Sequence, residues 1–421
     1  MIGELPDAMH GPPSHHDAAG ISGRPDAPSP PRSPRVLAEH RGEAPGPLTI
    51  FVAAIHGNEP RGVEAVRRVF GDLAARRPRF RGTAVAILGN REAFARRRRF
   101  VDSDLNRAFT FDLVEDEDAG FVPRLRRLEG AESREREELL AAIREHVAAL
   151  PEGAEAAVVD LHTFSGDGPP FCVFADTLRN RDFAAAWPLP RILGLPEEVP
   201  GTLAEFVTDA GLVGVVVETG RHDDPRAADL HAAVIRRTLE HAGHVGPGVL
   251  AEPGADVARL AEAVRGLPRQ LDVQHRHPVD PEDRFRMRPG WATFDPVARG
   301  EVVADDARGE VASPRRGRML LPLYQELGAD GFFIARPIGE RWLALSRWMR
   351  RLGIASAATL LPGVRHHERR PLALVVDRRI ARWLALDVFH LLGFRRVASD
   401  RRRIVVSRRL HDRRPPPRMR L

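Results

Sequence analysis

The chain has 421 residues, 43% of them hydrophobic, a formal net charge of +6 and one cysteine, Cys172. That length accommodates two or three domains with sizeable cores, and a lone cysteine excludes an internal disulfide. No apolar run approaches the roughly 18 residues of a membrane span, and the first twenty residues lack the basic start and apolar stretch of a secretory leader, so a cytoplasmic protein is expected.

All 64 basic residues are arginine, and they are unevenly placed. Residues 341–421 hold 21 Arg against 5 Asp and Glu, a net of +16, which leaves −10 for the rest of the chain. A segment so basic would support binding to nucleic acid or an anionic surface, yet it contains no helix-turn-helix, zinc-finger or other reading motif.

Residues 1–46 are rich in Pro, Gly, Ala and Ser without periodicity and are expected to be disordered, with His10, His15 and His16 solvated. From residue 48 a β/α rhythm begins. Strands are expected at 48-LTIFVAAI-55, 83-TAVAIL-88, 156-AAVVDLH-162, 171-FCVFA-175 and 213-VGVVVE-218. These are continuous apolar runs, as strands covered on both faces require. Cys172 lies inside one of them and reads as a small core residue. Helical patterns fall at about 60–76, 131–149, 178–187, 202–210 and 225–243. The alternation predicts an α/β fold, a sheet flanked by helices, over residues 47–250. Residues 251–340 read as a connector, with a helix near 255–265, followed by a small all-β domain. The basic segment, 341–421, reads as an appended α/β unit: helices at 341–353 and 378–394, strands at 371–376 and 403–409, and a disordered end from 412.

Four polar stretches interrupt this pattern. In 51-FVAAIHGNEPRG-62, Gly57 and Asn58 suit a tight turn, but no turn requires His56 or Glu59. An H-x-x-E pair alone is weak support for a metal site. His162 in 159-VDLHTFSG-166 ends another strand, so it can stand at the same sheet edge, the edge where open α/β sheets bind ligands. Two imidazoles and a carboxylate make a three-ligand set that leaves a fourth position for water, the pattern of catalytic zinc sites. Asp160, on the same side of its strand as His162, would either orient that imidazole or pair with an arginine. Glu218 in 213-VGVVVETG-220 is a strand-end carboxylate: either an ordinary salt-bridge partner or, if buried, a proton-transfer group of raised pKa. The run 96-RRRRFVDSDLNRAF-109 reads as a solvated face or a nucleic-acid patch, but it leads into Asn106 and Arg107, a pair suited to gripping a carboxylate.

With H-G-N-E-P-x-G, N-x-x-A-x-x-x-x-x-R-F, D-L-N-R, D-L-H and V-E-T-G in this order, residues 48–340 resemble the succinylglutamate desuccinylase/aspartoacylase family. The resemblance implies a zinc-dependent, carboxypeptidase-like α/β domain followed by a C-terminal β domain. It implies zinc held by His56, Glu59 and His162, with Glu218 as the catalytic carboxylate. Arg99 would polarise the scissile carbonyl, and Asn106 and Arg107 would contact the substrate. Two departures accompany it. Aspartoacylases carry a substrate-binding arginine ten residues before the catalytic Glu, where this chain has Thr208. They also use a tyrosine from the C-terminal domain, near where this chain reads 331-GFF-333, and the only tyrosine here is Tyr324.

The expected activity is therefore metal-assisted hydrolysis of the amide bond in an N-acyl amino acid or similar small carboxylate, with one zinc per chain. A carboxypeptidase or esterase using the same residues is the near alternative. A binding protein acting through its basic C-terminal segment is the alternative of another class.

Overall fold

A computed structural model describes residues 34–116, 120–367, 370–377, 379, 389–399 and 402–416. His10, His15, His16 and most of the helix expected at 378–394 lie outside the described residues. The first half runs β1 (Val36–Arg41), β2 (Ala44–Ala53), α1 (Arg61–Arg76), β3 (Arg81–Leu88), α2 (Arg91–Arg96), the hairpin β4 (Phe111–Asp116) and β5 (Gly120–Leu125), then α3 (Ala131–Ala148). It continues through β6 (Ala156–Phe164), β7 (Phe171–Phe174), α4 (Leu178–Phe183), β8 (Arg191–Leu193), α5 (Leu195–Glu198), α6 (Leu203–Asp209), β9 (Val213–Arg221) and α7 (Arg226–His241).

Each expected apolar run became a central strand, because only a strand hidden on both faces can place consecutive apolar residues out of water. Alternate residues of β2 face opposite sides. Phe51 and Ala53 pack with Val66 and Val69 of α1 and with Val234 and Ile235 of α7. Leu48, Ile50 and Val52 pack with Leu139 and Ile143 of α3 and with Phe206 of α6. Cys172 is fully buried, and burial pushes its thiol up to about 12, so it is an inert core residue.

The second half contains α8 (Ala255–Ala263), β10 (Gln270–Pro278), β11 (Arg286–Met287), β12 (Pro296–Val297), β13 (Val302–Asp306), β14 (Gly309–Ala312), β15 (Gly317–Leu320) and β16 (Asp330–Pro337). After these come α9 (Glu340–Arg351), β17 (Val364–His367), β18 (Arg370–Asp377), β19 (Phe394–Ser399) and β20 (Arg403–Arg408). The main sheet has eleven strands in the order β1-β3-β2-β6-β9-β7-β8-β10-β16-β15-β12. Strands β3, β2, β6 and β9 run parallel, and β7 joins β9 antiparallel, so the sheet is mixed.

Three differences from the sequence reading have physical causes. The segment read as disordered to residue 46 holds β1 and the start of β2, because β1 pairs antiparallel with β3 and closes one edge of the sheet. Its sequence, VLAEHR, mixes polar and apolar residues as a half-covered edge strand does. The β segment after 270, read as a small all-β domain, is in part continuous with the main sheet: β10 pairs with β8, and β16, β15 and β12 extend the same sheet, while β11, β13 and β14 form a small sheet of their own. The end of the chain is docked at Asp412, whose Oδ1 accepts from the Leu178 amide at 2.9 Å and whose carboxylate pairs with buried Arg350. The appended unit is a four-stranded sheet, β17-β18-β20-β19, whose core includes Leu374, Val376, Phe394, Ile404 and Val406. Its buried Arg350 also pairs with Asp176 at 3.1 Å, and Arg395 donates to Glu205 at 2.6 Å.

Candidate metal centre and active-site cleft

The C-terminal ends of β2, β6 and β9 form the floor of the site. Ala54 follows β2 with φ +54°, a left-handed conformation unusual for a residue with a side chain. It turns the chain sharply out of the sheet, so His56 and Glu59 follow within a few residues. Gly57 is required there: a Cβ would lie 2.0 Å from the Ala93 carbonyl carbon. Its amide donates to the Arg99 carbonyl at 3.1 Å, tying the loop to the arginine-rich segment.

His162 sits in register opposite Glu218 where β6 and β9 pair, and Phe171 of β7 lies on the other side of Glu218. One ligand atom each from His56, Glu59 and His162 lie within 4.8 Å of one another, and all three residues are buried. The His56 Nδ1 is 2.7 Å from Glu59 Oε1, and the His162 Nδ1 is 3.2 Å from Glu59 Oε2. Each imidazole turns its other nitrogen to a further carboxylate: His56 Nε2 is 3.1 Å from Asp104, and His162 Nε2 is 3.0 Å from Asp160. Glu59 also accepts from the Thr163 amide at 2.7 Å.

Burial opposes ionisation of Glu59, but the two imidazoles outweigh it and hold this carboxyl well below the usual range. Burial likewise opposes charge on His162, yet Asp160 and Glu59 favour its imidazolium. Three buried or half-buried carboxylates thus converge on two imidazoles, an excess of negative charge that calls for a cation. Two imidazole nitrogens and a carboxylate oxygen, with further carboxylates orienting the rings, fit zinc.

Glu218 is 9% exposed and lines the same cleft. Its Oε2 is buried and has no hydrogen-bond partner among the described residues. Burial, resisted by His162 and reinforced by Glu59 and Asp160, pushes the Glu218 carboxyl up to about 8. The salt-bridged strand end does not describe it: no ion pair to this residue is present among the described residues.

Arg99 lines the cleft and donates to Asp104 Oδ2 at 3.0 Å. Burial would lower its pKa, but Asp104 outweighs that and keeps the guanidinium charged. The loop carrying it is clamped by Glu132, fully buried, which accepts from the amides of Val101 at 2.7 Å and Asp102 at 2.9 Å. Asn106 and Arg107 reach the cleft too, with part of their bonding already spent inside the protein. Asn106 Oδ1 accepts from the Leu203 amide at 2.9 Å, and Arg107 donates to Asp330 Oδ2 at 2.7 Å. Sequence reasoning missed Asp104, Glu132 and Asp330. Asp104 stood within the D-L-N-R motif and was legible there; the other two act across distant chain segments and left no local signal.

Thr208 and Tyr324 do not line the cleft, whereas Phe333 of 331-GFF-333 does. Thr208 is buried in α6, its hydroxyl donating to the Ala204 carbonyl at 2.7 Å. The Tyr324 hydroxyl donates to the Arg288 carbonyl at 2.7 Å and accepts from the Trp291 amide at 3.0 Å.

Fold and site define a mixed α/β protein with a His–Glu–His candidate metal centre at the C-terminal edge of its parallel strands. Residues 45–241 match the succinylglutamate desuccinylase/aspartoacylase catalytic domain, so over this stretch the chain is similar to that family. It is 27% identical over 268 residues to a succinylglutamate desuccinylase of Burkholderia lata, covering 60% of this chain and 68% of that protein. Among solved structures, a succinylglutamate desuccinylase/aspartoacylase of Rhodobacter sphaeroides shares the fold, with a TM-score of 0.51 and 18% identity over 72% of this chain and 88% of that one. A succinylglutamate desuccinylase of Vibrio parahaemolyticus superposes with a TM-score of 0.49, at 16% identity over 70% of this chain and 83% of that one. Among the described residues no helix is long and apolar enough to cross a membrane.

Proposed function

We propose that this protein is a zinc-dependent deacylase that hydrolyses the amide bond of an N-acyl amino acid or a similar small carboxylate. The observation that carries this reading is the convergence of His56, Glu59 and His162 beside a buried Glu218 whose Oε2 has no hydrogen-bond partner among the described residues. When bound by those three residues, zinc supplies a Lewis-acid centre and a water acidified to a pKa of about 7.

The chain's own residues do the rest. Glu218 takes the proton of the attacking water at Oε2 and returns it to the leaving amine, a task its raised pKa suits. Arg99, held charged by Asp104, donates to the carbonyl oxygen as negative charge develops there. Removing such a donor costs on the order of 100- to 1,000-fold in rate. Asn106 and Arg107 hold the substrate's carboxylate end. A carboxypeptidase or an esterase would use the same groups, and a panel of amides, peptides and esters separates them by rate.

Elemental analysis of the purified chain and of His162→Ala tests the reading. About one zinc per chain in the parent, lost in the variant, is the expected result. A folded parent that refuses added zinc would overturn it.

A further inference from the structure

The cleft next to Glu218 is not built for several charges. Its wall is formed by Phe164, Val173, Val199, Val216, Leu321 and Phe333. These residues are the cleft-facing fringe of a buried apolar cluster that continues through Ile192, Leu271 and Phe294. Leu195 packs on the same cluster, and it lines the cleft half-exposed.

The cations of the cleft are already committed. Arg99 is paired with Asp104 at 3.0 Å. Arg107 is paired at 2.7 Å with Asp330, and Asp330 is shared with Arg276 at 2.5 Å. Two guanidinium groups around one carboxylate leave a single net positive charge, enough for one substrate carboxylate and not for a second. Glu205, which also lines the cleft, is itself compensated by Arg395 at 2.6 Å and Arg409 at 2.8 Å, so those cations are committed too. Thr208, at the position of the family's additional arginine, donates to the Ala204 carbonyl, and near the position of the family's tyrosine stands Phe333, part of the apolar wall.

We propose that the substrate is a monocarboxylate with an uncharged, apolar arm: an N-acyl amino acid of hydrocarbon or aromatic character, with the arm against the Phe164–Val199–Val216–Phe333 wall and its one carboxylate at Arg107. This rests on the deacylase reading above and narrows it. A second carboxylate would enter an apolar wall where, among the described residues, the lining cations Arg99 and Arg107 are already paired, and burying an unpaired charge is strongly unfavourable. A hydrocarbon arm gains there, since even one methylene in an apolar pocket is worth about 10- to 200-fold in specificity.

The test compares N-acetyl-leucine and N-acetyl-phenylalanine with N-acetyl-aspartate and N-succinyl-glutamate, using the zinc-loaded full chain. Affinity is measured by calorimetry on Glu218→Gln, and kcat/KM on the parent. The expected result is a preference of at least about tenfold for the apolar compounds in both measurements. Leu195→Arg, which puts a cation into the half-exposed part of the wall, is expected to narrow that ratio by favouring the compounds with more than one carboxylate. Equal or tighter binding of N-acetyl-aspartate and N-succinyl-glutamate to Glu218→Gln would overturn the proposal. Selective binding of the apolar compounds by Glu218→Gln, with none of the four cleaved by the parent, would uphold the apolar cleft and overturn the deacylase reading instead. The calorimetric comparison does not depend on the folding of Leu195→Arg.

Discussion

Glu205, a residue of the cleft wall, accepts from Arg409 of the basic C-terminal segment at 2.8 Å, across 204 residues of chain. Arg395 donates to the same Glu205 oxygen at 2.6 Å, and Arg409 also pairs with Asp209. The wall of the cleft is therefore braced from behind by the appended unit. Removing one partner of a buried ion pair leaves the other uncompensated, at a cost of about 3–5 kcal/mol. Because Arg395 remains, Arg409→Met is expected to cost somewhat less, about 2 kcal/mol by urea unfolding, and to raise KM more than it lowers kcat. Adding Glu205→Gln should recover part of the stability. A variant as stable as the parent, with unchanged KM, would show that the brace is idle.

Glu218→Gln is expected to retain zinc while losing at least about 100-fold in turnover, the usual worth of a positioned acid–base group. Substitution at the unpartnered carboxylate removes the proton acceptor and leaves the His56–Glu59–His162 cluster intact. Metal content and turnover measured on one preparation decide the matter. Parent-level turnover would remove Glu218 from the mechanism.

His244 makes the fold sensitive to acid. Its Nδ1 donates to the Arg81 carbonyl at 2.7 Å, and its Nε2 lies 2.8 Å from the Thr49 hydroxyl, which donates to it. Its ring stacks on Phe80 at 4.9 Å. Burial lowers its pKa to about 4. The unfolded chain binds a proton near pH 6.5 while the folded chain still refuses it. Stability from this group is therefore complete above about pH 6.5 and is lost as the pH falls toward 4, by up to about 3 kcal/mol. Urea unfolding between pH 7 and pH 4 should show a shallower loss for His244→Gln than for the parent. Identical slopes would assign the acid sensitivity to other groups.

Much of this was legible in the chain, and what was not has a common cause. The runs ending at Ala53, Leu88, Phe164, Phe174 and Arg221 are strands because their continuous apolar character fits little else in an α/β pattern. His56, His162 and Glu218 stood out because polar residues at the ends of such runs are not needed by a core. What escaped depends on distant pairing. The edge strand Val36–Arg41 is held by Thr83–Ile87, and Gln270–Pro278 joins the main sheet only through Arg191–Leu193. The partner of Arg107, Asp330, lies 223 residues away and is invisible to any local pattern. The composition of the last 81 residues suggested a partner outside the chain, but Arg350, Arg395 and Arg409 bind carboxylates inside it.

The register that sets His162 opposite Glu218 has a consequence for how this protein can change. The two residues are neighbours because adjacent strands pair, at the spacing of one step across the sheet, and not because the chain between them is arranged in any particular way. Forty-eight residues separate the two strands, including β7, α4, β8, α5 and α6. That stretch carries much of the cleft wall and the acidic residues that receive the appended unit. Insertions, losses or rewrites there can alter what the cleft admits while the distance between Glu218 and His162 stays fixed. Selectivity and chemistry are thus stored in separate parts of the same chain, and one can be retuned without reopening the other.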